Sequence, residues 1–310
     1  MIVEHRGWRI VRLRNGDTEV DVVPEKGGDI TALRFRGRNL LWESPWGLRP
    51  RALAPDAGSS AERWLQMYPG GWQTIFPNGG EESEGIGFHG EACLVPYDDE
   101  SHGNTTTLRA RIPGFDIERV VEVRTDGIAI DERITNTSSR ARDAMWSHHP
   151  AFAIDGRARV DCGAAGYVVD DLRDAEHGDL EPGATTAWPF ARARDGSAVD
   201  LRALPPDGEP LDRFGYCTSF EDGWATSTCD ERQVRLTWDA HIFPAAWYWL
   251  EARATRGAPW FGKAYVFAIE PASTWPGQGL AKARAKGNGP ITFAPGETKT
   301  VGIELKITQR

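Results

Sequence analysis

Residues 115 to 136, FDIERVVEVRTDGIAIDERITN, alternate apolar and polar side chains on both sides of a Thr-Asp-Gly turn. A period of two puts Val121, Val123, Ile128, Ile130 and Ile134 on one face of an antiparallel hairpin and the charges on the other. The same pattern recurs along the chain. TEVDVV, ITALRF and LLWES are separated by the turn segments PEKGGD and GRN, and TTTLRARI precedes the central hairpin. WATSTCD, RQVRLTWD, AAWYWLEAR, KAYVFAIEP and ETKTVGIELKIT follow it. Only AERWLQMY and GLAKARAKG read as helical, and both are short. Many strands joined by antiparallel turn signals predict an all-β fold, a large sandwich with few short helices, as one domain over 1–310. Two stretches, 44–62 and 171–212, read as long loops anchored by Trp or Leu, and no internal repeat is visible.

Composition narrows the partners. The 36 basic and 45 acidic residues give a net charge of −9, which repels phosphate backbones and anionic lipid, so neither nucleic acid nor membrane is expected as a partner. No apolar run approaches the roughly 18 residues that span a bilayer. The opening MIVEHRGWRIVRLRNG carries charges where a signal peptide needs its apolar core, so a cytoplasmic location is expected. Cys93, Cys162, Cys217 and Cys229 are scattered without a CxxC pair, the pattern of reduced thiols. The sequence has no P-loop, no dinucleotide fingerprint and no cysteine ligand set, so no cofactor or metal is expected.

Three stretches carry candidate chemistry. GGWQTIFPNGGEESEGIGFHGEA (70–92) is too rich in glycine for a helix and is broken by Pro77 as a strand. Irregular backbone of this kind exposes polar and aromatic groups, here Trp72, Gln73, Asn78, His89 and Glu91. MWSHHPAF (145–152) ends a strand in two histidines and a proline. AYVFAIEPAST (264–274) ends an apolar strand in Glu270, and a carboxylate there is costly unless paired, hydrogen-bonded or functional.

The ordered set of FHG at 88–90, HPAF at 149–152 and IEP at 269–271 resembles the aldose 1-epimerases, or galactose mutarotase-like proteins. PEKGGDITALRF near the start and the GETKTVGIELKI tail also look like that family. The resemblance implies an antiparallel β-supersandwich with its site in a cleft on a concave sheet face. It implies that Glu270 is the base for the anomeric O1–H, that His149 is the acid for the ring oxygen, and that His89 holds that region of the sugar. Opening a hemiacetal removes a proton from one oxygen and gives one to another on the same carbon, so a positioned base and acid suffice.

The sequence departs from the family pattern at several places. His148 stands where the family has asparagine, as an added sugar contact or as strand packing, and Ala151 replaces tyrosine. Gln73 and Asn78 are candidate hydroxyl binders, and Trp72, Trp247 and Trp249 are candidates for a stacking wall or for the core. The family's hydroxyl-binding aspartate has no clear counterpart; Asp212 and Asp222 are the candidates. Three rival readings are a non-catalytic carbohydrate-binding protein, a metal enzyme using His89, Glu91 and His148 or His149, and a lyase acting on acidic sugars. Which sugar is involved stays open.

Overall fold

The computed structural model describes residues 1–54, 58–173, 177–229 and 231–309. Phe115–Arg124 and Gly127–Asn136 pair as an antiparallel hairpin with Val123 opposite Ile128, Val121 opposite Ile130 and Ile117 opposite Ile134. All six side chains are buried. This face recruits neighbours on both sides. One layer runs Asp98–His102, Thr105–Ile112, Phe115–Arg124, Gly127–Asn136, Thr298–Gln309 and Arg232–Trp238, every pair antiparallel.

The second layer runs from Ile2–His5 through Trp8–Asn15, Thr18–Val23, Asp29–Phe35, Trp72–Ile75, Ser147–Ala153 and Tyr265–Ala272 to Ala245–Ala252. Two long strands, Arg159–Val169 and Leu211–Cys229, join the layers. The latter pairs with Ala245–Ala252 through residues 211–218 and with Arg232–Trp238 through 223–229. A register shift between Cys162 and Ala164, and Ser219 at φ 61°, mark where this ribbon bends from one layer to the other. The result is an all-β, antiparallel sandwich in which eighteen strands among the described residues share one continuous sheet.

The two short helices, Ser60–Met67 and Leu280–Ala285, fall where the sequence pattern puts them. Ser59 and Glu62 close a reciprocal capping box on the first. LLWES makes isolated bridges, Leu41 to Phe152 and Glu43 to Gly70, rather than the strand expected. The stretch read as a loop over 171–212 carries short strands at Thr185–Ala187, Phe190–Arg192 and Ala198–Asp200. Parts of both expected loops, 55–57 and 174–176, lie outside the described residues. No helix among the described residues is long and apolar enough to cross a membrane.

Between the layers the apolar core encloses a charged cluster centred on Glu132. Glu132 accepts from Arg119 Nε at 2.7 Å, Trp146 Nε1 at 2.7 Å, His148 Nε2 at 3.0 Å and Thr74 Oγ1 at 3.1 Å. Burial raises its pKa, but Arg119 and His148 outweigh this and hold the carboxylate well below its usual range. Arg119 also donates to the Gly28 carbonyl at 3.1 Å. Removing one partner of a buried pair leaves an uncompensated charge, at a typical cost of about 3–5 kcal/mol. Arg119→Met is therefore expected to lose about that much in urea unfolding, and a loss under about 1 kcal/mol would contradict the role assigned to this cluster.

Candidate active site

Strand register brings the three sequence stretches together. Ser147 pairs with Ala272 and Ala151 with Ala268, which sets His149 opposite Glu270 on neighbouring strands. Trp247 pairs with Glu270 on the other side, and Gln73 pairs with His149. Pro150 and Pro271 flank the His149–Glu270 pair, and neither can donate to the ladder there. His149 Nε2 lies 3.8 Å from Glu270 Oε1, too far for a hydrogen bond but close enough for both to reach one small ligand.

The pair forms part of the floor of a cavity of about 320 Å³. Trp64, Tyr68, Phe88, Phe214, Trp247, Trp249 and Trp260 wall it, and His89, Arg173, Glu251 and Gln278 supply polar groups. A larger open groove of about 560 Å³ crosses the outer face of the other layer. Arg109–Glu118 and Arg111–Asp116 pair within it, both at 2.8 Å, and no histidine among the described residues lines it. His149 and Glu270 are the opposed titratable pair on the floor of the walled cavity.

His89 reaches the cavity from the glycine-rich loop. Gly80, at φ 64°, brings that loop so close to the 277 backbone that an added Cβ would sit 2.0 Å from the Gly277 carbonyl oxygen. The Gly80 N–H donates to His89 Nδ1 at 3.0 Å, which leaves the proton of the neutral ring on Nε2. The ring packs edge-on against Trp64 at 4.6 Å and lies 6.2 Å from the His149 ring.

Burial dominates the electrostatics. It lowers His149 to about 4, and it drives His89 well below the usual imidazole value with the help of neighbouring His149. It pushes Glu270 well above the usual carboxylate range, with Arg173 pulling the other way. Oε2 of Glu270 is buried and has no hydrogen-bond partner among the described residues. Arg173 donates to Asp212 at 2.6 Å and packs over Phe214, while Glu251 accepts from the N–H and hydroxyl of Thr255 at 2.9 and 2.7 Å.

Several sequence candidates lie elsewhere. Gln73 shares the His149 face, but it is buried and donates to Asp29 at 2.6 Å. Asn78 staples the loop, donating to the Glu81 and Gly87 carbonyls and accepting from Leu280 N–H at 2.9 Å. His148 points to the opposite face from His149, where it meets Glu132 and accepts from Trp72 Nε1 at 3.2 Å, so it packs rather than faces the cavity. Trp72 is in the core for the same reason. Asp212 sits behind Arg173, outside the lining, whereas Trp249 lines the cavity edge-on to His149 at 5.4 Å.

Tyr68, Trp64, Trp260, Arg173, Glu251 and Gln278 line the cavity without having been singled out in the sequence. The spacing of Trp64 and Tyr68, four apart in AERWLQMY, was the one signal available, since it stacks both rings on one helix face. Among the described residues no three His, Cys, Asp or Glu side chains group as a metal site requires.

No protein-family profile matches the chain, and no curated protein sequence does. Solved structures do. The Slr1438 protein from Synechocystis sp. PCC 6803 superposes with a TM-score of 0.70 at 14% identity, covering 97% of this chain and 96% of that one. A candidate aldose 1-epimerase from Escherichia coli K12 gives 0.66 at 16% identity over 97% and 99%. A galactose mutarotase-like protein from Clostridium acetobutylicum gives 0.68 at 14% identity over 100% and 98%. The chain has the galactose mutarotase-like fold over its whole length.

A carboxyl whose pKa is raised on folding contributes stability below its unfolded pKa and loses it as pH rises. Glu270→Gln removes that loss. In urea melts the variant should therefore gain on the wild type as pH goes from 5 to 8; a difference that does not change with pH would contradict the burial of this carboxyl.

Proposed function

We propose that the protein is an aldose 1-epimerase, interconverting the α and β anomers of a sugar by acid–base ring opening and reclosure. The observation that carries this reading is the opposition of His149 and Glu270, 3.8 Å apart, on the floor of an aromatic-walled cavity. Aromatic faces suit the C–H faces of a pyranose, and His89, Arg173 and Gln278 offer N–H groups to its oxygens. The cavity is of ordinary ligand size.

In this reading Glu270 takes the O1–H proton while His149 gives its Nε2 proton to O5. The C1–O5 bond breaks, C1=O1 forms, and rotation about C1–C2 presents the other carbonyl face. Reclosure returns both protons to their starting groups. The productive form is a Glu270 carboxylate beside a His149 imidazolium, and burial of the empty site opposes that charge separation. Arg173 lowers Glu270, and sugar hydroxyls donating to the carboxylate would favour the charged form further. A single proton, resting on Glu270 and passed to His149, therefore completes the cycle without a covalent intermediate. One fold can host unrelated functions, and the same aromatic walls would serve sugar binding without turnover; the acid–base pair is what argues for an enzyme.

Saturation-exchange NMR of anomers over a panel of aldoses tests the proposal. At least one sugar should exchange faster with the wild type, and Glu270→Gln and His149→Ala should each lower that rate about a hundredfold or more. Full activity in Glu270→Gln would remove Glu270 from the mechanism. Sugar binding without acceleration across the panel would favour a binding protein.

A further inference from the structure

We propose that Tyr68 is a positioning residue that fixes the ring of His149 and the nitrogen from which it exchanges its proton. This inference rests on the proposed reading of the site, and it uses a residue that no sequence motif pointed to. Tyr68 closes the helix Ser60–Met67, and its hydroxyl lies 3.5 Å from His149 Nδ1. His149 Nε2 faces the other way, toward Glu270 Oε1 at 3.8 Å. The phenol cannot readily swing aside: it is buried, stacked on Trp64 at 4.5 Å and packed edge-on against Trp260 at 5.9 Å. Burial and the nearby Glu270 and Asp29 carboxyls all oppose a phenolate, so the hydroxyl keeps its proton.

A hydroxyl suits this place because its oxygen accepts without carrying a charge. It accepts from Nδ1–H of the neutral ring, which leaves Nε2 free to take the proton resting on Glu270. The imidazolium so formed keeps the same Nδ1–H bond to Tyr68. A carboxylate in its place would hold the imidazolium and resist release of the proton. Tyr68 therefore keeps one ring orientation through both charge states of His149. Its own O–H bond stays intact, and the proton passed to O5 leaves from Nε2 alone as Glu270 takes the O1–H proton. His89 is held in the opposite tautomer, with the Gly80 N–H donating to its Nδ1. The charged and titratable groups around His149 are Glu270 on one side and Tyr68 and His89 on the other.

The test is the ring ¹⁵N spectrum of His149 in the full-length protein at pH 7, in the wild type and in Tyr68→Phe, which keeps the stack on Trp64. The wild type should show a protonated Nδ1 and an unprotonated Nε2. In the variant this pattern should give way to a mixture of tautomers, and kcat on the best sugar should fall about tenfold with KM within about twofold. A wild-type His149 protonated at Nε2 instead, or an identical ring pattern in both proteins, would overturn the proposal. The wild-type spectrum decides even if the variant does not fold. It also needs no turnover, so a wild type inactive on every sugar would sink the epimerase reading while the spectrum still judges Tyr68.

Discussion

The register of the Ser147–Ala153 strand against Tyr265–Ala272 is the constraint on which the rest of the site depends. Side chains alternate along both strands, so His149 and Glu270 face the cavity together while His148, Phe267 and Ile269 face the core between the layers. A slip of one residue would push Glu270 into that core and turn Ile269 into the cavity. The chain resists the slip from both sides. Phe267 and Ile269 are buried among apolar side chains, and His148 is held by Glu132 on one nitrogen and Trp72 on the other. Two adjacent histidines thus do unrelated work: one locks the strand to the core, and the other faces the cavity.

The loops then close over this floor by local chemistry. Asn78 ties the glycine-rich segment to the start of Leu280–Ala285, and Gly80 lets its backbone lie against the 277 segment. His89 arrives with its tautomer already set. The capped helix Ser60–Met67 delivers Trp64 and Tyr68 to the opposite wall. Each closing element is fixed by hydrogen bonds of its own, so the cavity does not depend on a bound ligand for its shape.

Most of the fold was legible because alternation is strong where one strand face is buried and the other wet. Thr105–Ile112, Gly127–Asn136 and Thr298–Gln309 show this directly. Arg159–Val169 was not anticipated: RVDCGAAGYVV has two glycines and small residues where a pattern needs contrast, because this strand bends between layers. The site was legible only in part. His89, His149 and Glu270 stand in short motifs, and all three line one cavity. Gln73, Asn78, His148 and Trp72 share the polar or aromatic character of ligand-binding groups, but the sheet spends each of them on another protein group. Arg173, Glu251 and Tyr68 come from segments distant in sequence, which only the tertiary fold brings together.

The most direct measurement is a crystal structure of the protein with an aldose in the cavity. The account predicts the anomeric end at the floor, with Glu270 within about 3 Å of O1 and His149 Nε2 within about 3 Å of O5. A sugar bound between the aromatic walls with its anomeric carbon at the mouth, away from both groups, would contradict it.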